Sequence, residues 1–286
     1  MALSLAVFIK QVPDTTAVTA RAMKADGTLN RSALPAVFNP EDLHALELAL
    51  ELKDRCGGSV CAVTMGPVAA AEILREALYR GADRACLITD RRFAAADTLA
   101  TSYVLSKAAA KLGPFDIIIC GRQAIDGNTA QVGPQVAQKL GLNQLTYVEA
   151  VEQVADGTIR AWRDIEEGKE LVQSRLPVLI TVTDSANTPR PPSVKRIMQY
   201  KNAQAPSELS ADTARNELEA RGLLIEELHA EAIGVDDNQC GLAGSPTRVK
   251  KIASVVLKGK DYKRIEPTDA GLRELLQELI AEYTFD

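Results

Sequence analysis

Ile117-Ile118-Ile119-Cys120-Gly121-Arg122-Gln123-Ala124-Ile125-Asp126-Gly127-Asn128-Thr129-Ala130-Gln131-Val132-Gly133-Pro134 is the stretch whose reading decides the fold. Its apolar opening, extended back to Phe115, has the length and composition of a strand buried on both faces. Gly121 stops that run. A polar, glycine-containing loop follows, and a helix opens near Thr129 to Pro134. Pro134 suits a first helical turn, where its missing N–H costs nothing, and Asn128 or Thr129 can cap the orphan amides. A strand, a loop and a helix in this order present backbone N–H groups and the positive end of a helix together, and such a place binds phosphate. A nucleotide diphosphate site is one reading. The other is an ordinary turn in which Asp126 and Thr129 merely cap.

Working outward, short apolar runs alternate with helical patterns. Residues 3–9, 60–64 and 84–88 read as strands, and 69–79 and 97–112 as helices. Residues 40–56 read as a helix with Leu43, Leu46 and Leu50 at helical spacing, stopped by Gly57-Gly58. Repeated units of this length predict an α/β fold, a parallel sheet covered by helices on both faces. Such sheets collect ligands at the carboxyl ends of their strands, so the loops after Ile9, Thr64, Ile88 and Cys120 compete for that role. Residues 145–153, 158–163 and 170–173 predict a small antiparallel region, and 178–182 another buried strand. Three prolines among Pro189-Arg190-Pro191-Pro192 predict a rigid exposed loop running into Ile197-Met198-Gln199-Tyr200. From about Lys201 the chain turns polar. A charged surface helix over 214–221, a glycine-containing stretch over 241–248 and an amphipathic helix over 269–283 follow. This tail has too little apolar material for a core of its own and reads as an arm that packs against the main domain or reaches across a partner.

The bulk composition removes several classes. With 46% hydrophobic and 25% charged residues over 286 positions, the chain reads as soluble and globular. A net charge of −5 gives no footprint for nucleic acid. No apolar run approaches the ~20 residues of a membrane span, so no membrane insertion is expected. The first residues lack the charged start of a signal peptide, and five cysteines, mostly in apolar runs, read as reduced thiols in a cytoplasm. No CxxC pair exists, and His44 and His229 are the only histidines, which argues against zinc and against a catalytic triad. GxGxxG, Walker A, GxSxG, HExxH and EF-hand patterns are all missing. Glu166-Glu167 and Asp236-Asp237 read as solvated turns. The residues therefore suggest a protein whose chemistry belongs to a bound cofactor.

Six segments in a fixed order carry a more specific message. They are Val7 through Thr15, Asn39-Pro40, Val63 through Pro67, Gly81 through Arg84, Gly121 through Asp126, and Pro189 through Met198. Together they resemble the β subunit of electron transfer flavoproteins. The resemblance implies a flavodoxin-like, adenine-nucleotide α-hydrolase-like domain over 1–200, and an extended C-terminal arm over 201–286 that contacts an α subunit. It also implies a nucleotide in the β subunit: structural AMP in simple shuttles, or a second FAD in electron-bifurcating members. Asp126 through Pro134 and Thr89 through Ser102 resemble the bifurcating kind, although Arg92 and Ala95 stand where Ala and Gly are usual.

Carried over by position, Phe8 and Lys10 lie under the adenosine, Asn39 touches ribose or base, and Thr64, Met65 and Gly66 border the nucleotide. Arg122, Gln123, Ala124, Asp126 and Gly127 begin the wrap of the phosphates. Asn128, Thr129, Ala130, Gln131, Val132 and Gly133 complete it. Asp97, Thr98 and Thr101, at a capped helix start, hold the flavin ring or ribityl chain. Without a ligand, Arg122 reads as a surface ion-pair partner and Gln123 as a turn residue. Pro191, Val194, Ile197 and Met198 match the loop that docks a partner dehydrogenase, with Val194 where the family usually shows Leu. Lys195, Arg196 and Lys201 add steering toward an acidic partner. The alternative is a stiffened turn that packs Ile197 and Met198 on the domain. The implied function is oxidation of NADH by the β-site FAD. Its electrons divide between ferredoxin or flavodoxin and, through the α-subunit FAD, an FAD-dependent dehydrogenase of acyl-CoA or 2-hydroxy acids. The alternative is a shuttle with AMP. A stand-alone nucleotide hydrolase or adenylating enzyme needs an acidic metal cluster or an SGG-type loop, and neither is found.

Overall fold

A computed structural model of the chain describes residues 2–14, 35–209, 212–247 and 264–281. The elements run β1 (Leu3–Phe8), β2 (Gln11–Pro13), β3 (Ala36–Phe38), α1 (Pro40–Cys56), β4 (Gly58–Met65), α2 (Ala71–Arg80) and β5 (Arg84–Ile88). Next come α3 (Thr98–Leu112), β6 (Ile117–Gly121), α4 (Val132–Leu140), β7 (Asn143–Ala155), β8 (Thr158–Ile165), β9 (Gly168–Arg175) and β10 (Val178–Val182). The last described elements are α5 (Val194–Tyr200), α6 (Asp212–Ala220), β11 (Glu226–Leu228), α7 (Ala230–Ile233) and α8 (Asp269–Ala281).

The apolar runs must be covered on both faces, and a parallel sheet between helices does this. Nine strands form one sheet in the order β11-β5-β4-β1-β6-β10-β7-β8-β9. Pairing is parallel from β11 through β7 and antiparallel along β7, β8 and β9. Along β1 the side chains alternate: Leu3, Leu5 and Val7 pack with α1 and α2, while Ala6 and Phe8 pack on the side of α3 and α4. Each such Leu or Val contributes about 1.5–3 kcal/mol on full burial, so this alternation outweighs local propensity. Helix α1 ends where Gly57 takes φ +73°, a conformation that suits glycine. The α/β architecture with a mainly parallel sheet is the one expected.

Two features differ from the sequence reading, and a third settles an alternative it left open. The antiparallel strands are not a separate small region, because β7 pairs with β10 and so continues the main sheet. The proline-rich loop stops at Ser193, and the residues after it form α5. No proline interrupts residues 193–205, and Ser193 N and the Arg196 guanidinium donate to the carbonyls of Tyr79, Leu78 and Ala82, fastening the helix to α2. Arg196 therefore braces the fold and is not a free steering charge. The polar tail packs against the main domain, one of the two courses expected for it. Ala205, Leu218, Leu223 and Ile225 join one side, Leu228, Ala230, Ile233 and Cys240 the other, and β11 extends the sheet beside β5. Arg248, Tyr283 and the residues near them lie outside the described segments.

Candidate functional site

Strand succession reverses at β1. The chain steps outward through β4 and β5, then returns to place β6 on the other flank. Carboxyl ends of strands on either side of such a reversal leave a crevice. Here the crevice is a cavity of about 790 Å³, floored by Phe8, Val63, Met65 and Leu105. That volume suits a medium-sized organic ligand. One wall is the loop after β6, and the other is the segment between β5 and α3.

The first wall is held by the opening turn of α1. Glu41, itself buried, accepts from Arg122 Nη2 at 2.8 Å and from Gln123 N at 3.0 Å. Asn39 sits at the N-cap position of α1 but does not cap. Its Nδ2 donates to Gln123 O at 2.9 Å, and its Oδ1 accepts from Ile125 N at 3.1 Å. Lys10 Nζ lies 2.8 Å from both carboxylate oxygens of Asp126. Asn39 and Asp126 thus stand behind the wall and brace it, outside the residues that line the cavity. Thr64 is likewise behind the floor, and its buried Oγ1 has no hydrogen-bond partner among the described residues. The other implied residues reach the lining: Phe8, Lys10, Met65, Gly66, Arg122, Gln123 and Ala124, with Gly127 to Gly133 beyond them.

The start of α4 differs from expectation. Its N-cap is Gln131 and no side chain caps it, so neither Asn128 nor Thr129 does so. Asn128 and Ala130 both take positive φ, +50° and +52°, which bends the loop back over the strand ends. The amides of Thr129, Ala130 and Gln131 donate to no acceptor among the described residues, and those of Val132 and Gly133 are orphans of a first helical turn. Gly133 lets the helix sit directly on the sheet: a Cβ there would lie 2.8 Å from both Cys120 Sγ and Thr181 Cγ2. Uncapped amides beside Lys10 form a donor set for an anion.

The second wall includes Arg91, Phe93, Ala94, Ala95, Asp97 and Thr101. Asp97 caps α3, accepting from Leu99 N at 2.9 Å and Ala100 N at 3.0 Å. Burial raises its pKa, but the amides of Ala100, Thr247 and Leu99 outweigh that and hold it below the usual carboxylate value. Its carboxylate is thereby committed to capping. Thr98 Oγ1 donates to Gln131 Oε1 at 2.8 Å and joins the two walls. Arg92 is outside the lining, paired with Asp90, Glu231 and Asp237. The bulky charge that departs from the family pattern therefore points into an acidic cluster.

Asp42 escaped the sequence reading. In a helical first turn after proline, Glu41-Asp42 looks like a complement to the helix dipole. Instead Asp42 is buried and borders the cavity, accepting from Lys10 N at 2.8 Å and Gly121 N at 3.1 Å. Burial, opposed by those bonds, pushes its pKa up to about 7. Burial also pushes the neighbouring Cys120 thiol up, so it stays protonated.

The fold and site define a doubly wound α/β protein with an amide-walled ligand cavity at the switch point of its sheet. The electron transfer flavoprotein domain matches residues 26–212. The electron transfer flavoprotein subunit beta of Thermoanaerobacterium thermosaccharolyticum is 45% identical over 247 residues, 86% of each chain. Protein FixA of Bradyrhizobium diazoefficiens is 41% identical over 277 residues, covering 94% of this chain and 88% of its own. The acryloyl-CoA reductase electron transfer subunit gamma of Anaerotignum propionicum is 40% identical over 273 residues, 91% of this chain and 94% of its own. The chain belongs to the electron transfer flavoprotein family, with its β subunits and FixA proteins, and electron transfer is its function. Among the described residues no helix is long and apolar enough to cross a membrane.

Proposed function

We propose that the chain is the β subunit of a heterodimeric, cytoplasmic, electron-bifurcating flavoprotein and that its cavity holds FAD. The carrying observation is the reach of the cavity. It runs without interruption from the uncapped amides at 129–133 to Arg91, Phe93 and Thr101. AMP would use the first end and leave the second unfilled. In this reading the amides of 129–133 hold the diphosphate. Lys10, tied to Asp126, offsets phosphate charge at the rim, Phe8 lies under the adenosine, and Thr98 and Thr101 border the ribityl chain. Bound FAD supplies the redox chemistry, accepting a hydride from NADH and releasing electrons toward ferredoxin or flavodoxin and toward the FAD of the α subunit. The residues of this chain orient the flavin and exclude water from it.

Two surfaces suit the partners. Val194 and Met198, 76% and 62% exposed, stand one turn apart on α5 just past Pro191, the arrangement of an apolar anchor for an FAD-dependent dehydrogenase. The relative named as an electron transfer subunit of an acryloyl-CoA reductase favours an acyl-CoA substrate for that partner. On α8, Leu272, Leu276 and Ile280 are exposed at four-residue spacing, which suits an arm laid on the α subunit. The test is the nucleotide content of the chain co-purified with its α subunit. Two FAD per heterodimer without AMP, together with NADH oxidation, is the expected result. One FAD and one AMP would leave a conventional shuttle.

A further inference from the structure

The second wall of the cavity is almost without regular structure of its own. Between β5 and α3 it contains a single 3-10 turn, 91–93, and its shape must come from elsewhere. It comes from the tail. Thr89 N donates to Leu228 O at 3.1 Å, His229 Nδ1 lies 2.6 Å from Thr89 O, and Ala230 N donates to Asp90 Oδ2 at 3.2 Å. Arg92 pairs with Glu231 and Asp237. Farther along, Asp97 N donates to Ser245 Oγ at 2.8 Å, Ser245 Oγ donates to Gly241 O at 2.6 Å, and Thr247 N donates to Asp97 Oδ2 at 3.0 Å. Gly241 takes φ +49°, and its backbone lies so close that a Cβ would overlap the carbonyl oxygen of Arg92 and come within 2.8 Å of that of Ala94. The tail is therefore a splint along the outer side of the wall, touching it at 89, 90, 92, 94 and 97.

From this we infer that residues 228–247 position the flavin-side wall, with Gly241 and Ser245 as the positioning residues, and that they determine whether the site accepts FAD or only a mononucleotide. The inference rests on the FAD reading above. The mononucleotide end is held from the other side, by Glu41 and Asp42 in the first turn of α1 and by Asn39 just before it. Apart from the Thr98–Gln131 hydrogen bond that joins the walls, the two ends of the cavity thus have separate supports, and damage to the tail should leave the α1 side intact.

The test uses the full-length chain co-purified with its α subunit, as wild type, Gly241→Ala and Ser245→Ala. Ser245→Ala adds no atoms, so it serves if Gly241→Ala fails to fold. Each heterodimer is dialysed against flavin-free buffer containing AMP, and its FAD and AMP are counted after acid release. The wild type is expected to keep two FAD. The variants, with FAD retention at the β site weakened about tenfold by the lost wall contacts, are expected to exchange that FAD for AMP and finish with one of each. Variants that keep two FAD overturn the inference. So do variants that lose the second FAD without gaining AMP, because the tail would then support the whole domain. A wild type that is purified with one FAD and one AMP, before any dialysis, sinks the FAD reading itself and leaves the splint no flavin to position.

Discussion

Gly121 and Asp42 are fitted so closely that a side chain on the first would displace the second. Gly121 N donates to Asp42 Oδ1, and a Cβ on Gly121 would lie 2.6 Å from that oxygen and 2.7 Å from the carbonyl carbon of Glu41. The obstructing atoms belong to the first turn of α1, the same turn that braces the loop after β6. Gly121→Ala is expected to destabilise the protein by roughly 1–3 kcal/mol through overpacking and to weaken nucleotide retention. Urea unfolding and nucleotide content measured on one preparation check both.

Asp42 also gives the protein a pH dependence. Its carboxyl titrates near pH 7 in the folded chain and near 3.8 when exposed, because burial outweighs the bonds from Lys10, Asn39 and Gly121. An acid raised on folding binds its proton more tightly in the folded state. Its contribution to stability is complete below the unfolded value and is lost as pH rises through the folded one. Wild-type stability should therefore carry a falling component between about pH 4 and 7 that Asp42→Asn removes. The variant satisfies only one of the two amides and is expected to be less stable by about 1–3 kcal/mol near pH 4, a gap that narrows as pH rises toward 7. Equal slopes for both proteins across that window would show that Asp42 does not titrate there.

Ala95 sits in the second wall with φ +59°, where the family pattern has glycine. A left-handed conformation costs an L-residue about 1–2 kcal/mol, partly recovered because alanine has less freedom than glycine to lose on folding. Ala95→Gly is expected to stabilise the chain by about 0.5–1 kcal/mol, a rise in Tm of about 2 °C. Scanning calorimetry checks it, and a lower Tm would mean the wall holds Ala95 without strain.

Val194 and Met198 touch no core, since α5 buries none of its residues. Replacing both by Asp should leave Tm and nucleotide content unchanged. Loss of one hot-spot residue weakens docking by about 30-fold, and reduction of the partner dehydrogenase should fall at least that far. Unchanged electron delivery to the dehydrogenase would move the docking surface elsewhere.

The layered α/β fold was legible in the chain because apolar runs of strand length and leucines at helical spacing are local patterns that burial enforces. The crevice was legible too, since glycine after a buried strand and a polar loop before a helix follow from backbone chemistry. Pairing across the chain was not. Glu41 with Arg122, Lys10 with Asp126 and Asn39 with Gln123 join residues more than eighty positions apart, and nothing local distinguishes these polar side chains from solvated ones. The same limit hid the joining of β7 to the main sheet and the end of the proline-rich loop at α5. The sequence alone determined the class of fold and pointed to the carboxyl ends of its strands, where the crevice lies. Only the tertiary structure decided which side chains face the crevice, which stand behind it as braces, and that the tail shapes its second wall, because those outcomes depend on which distant backbone groups need partners once the sheet has closed.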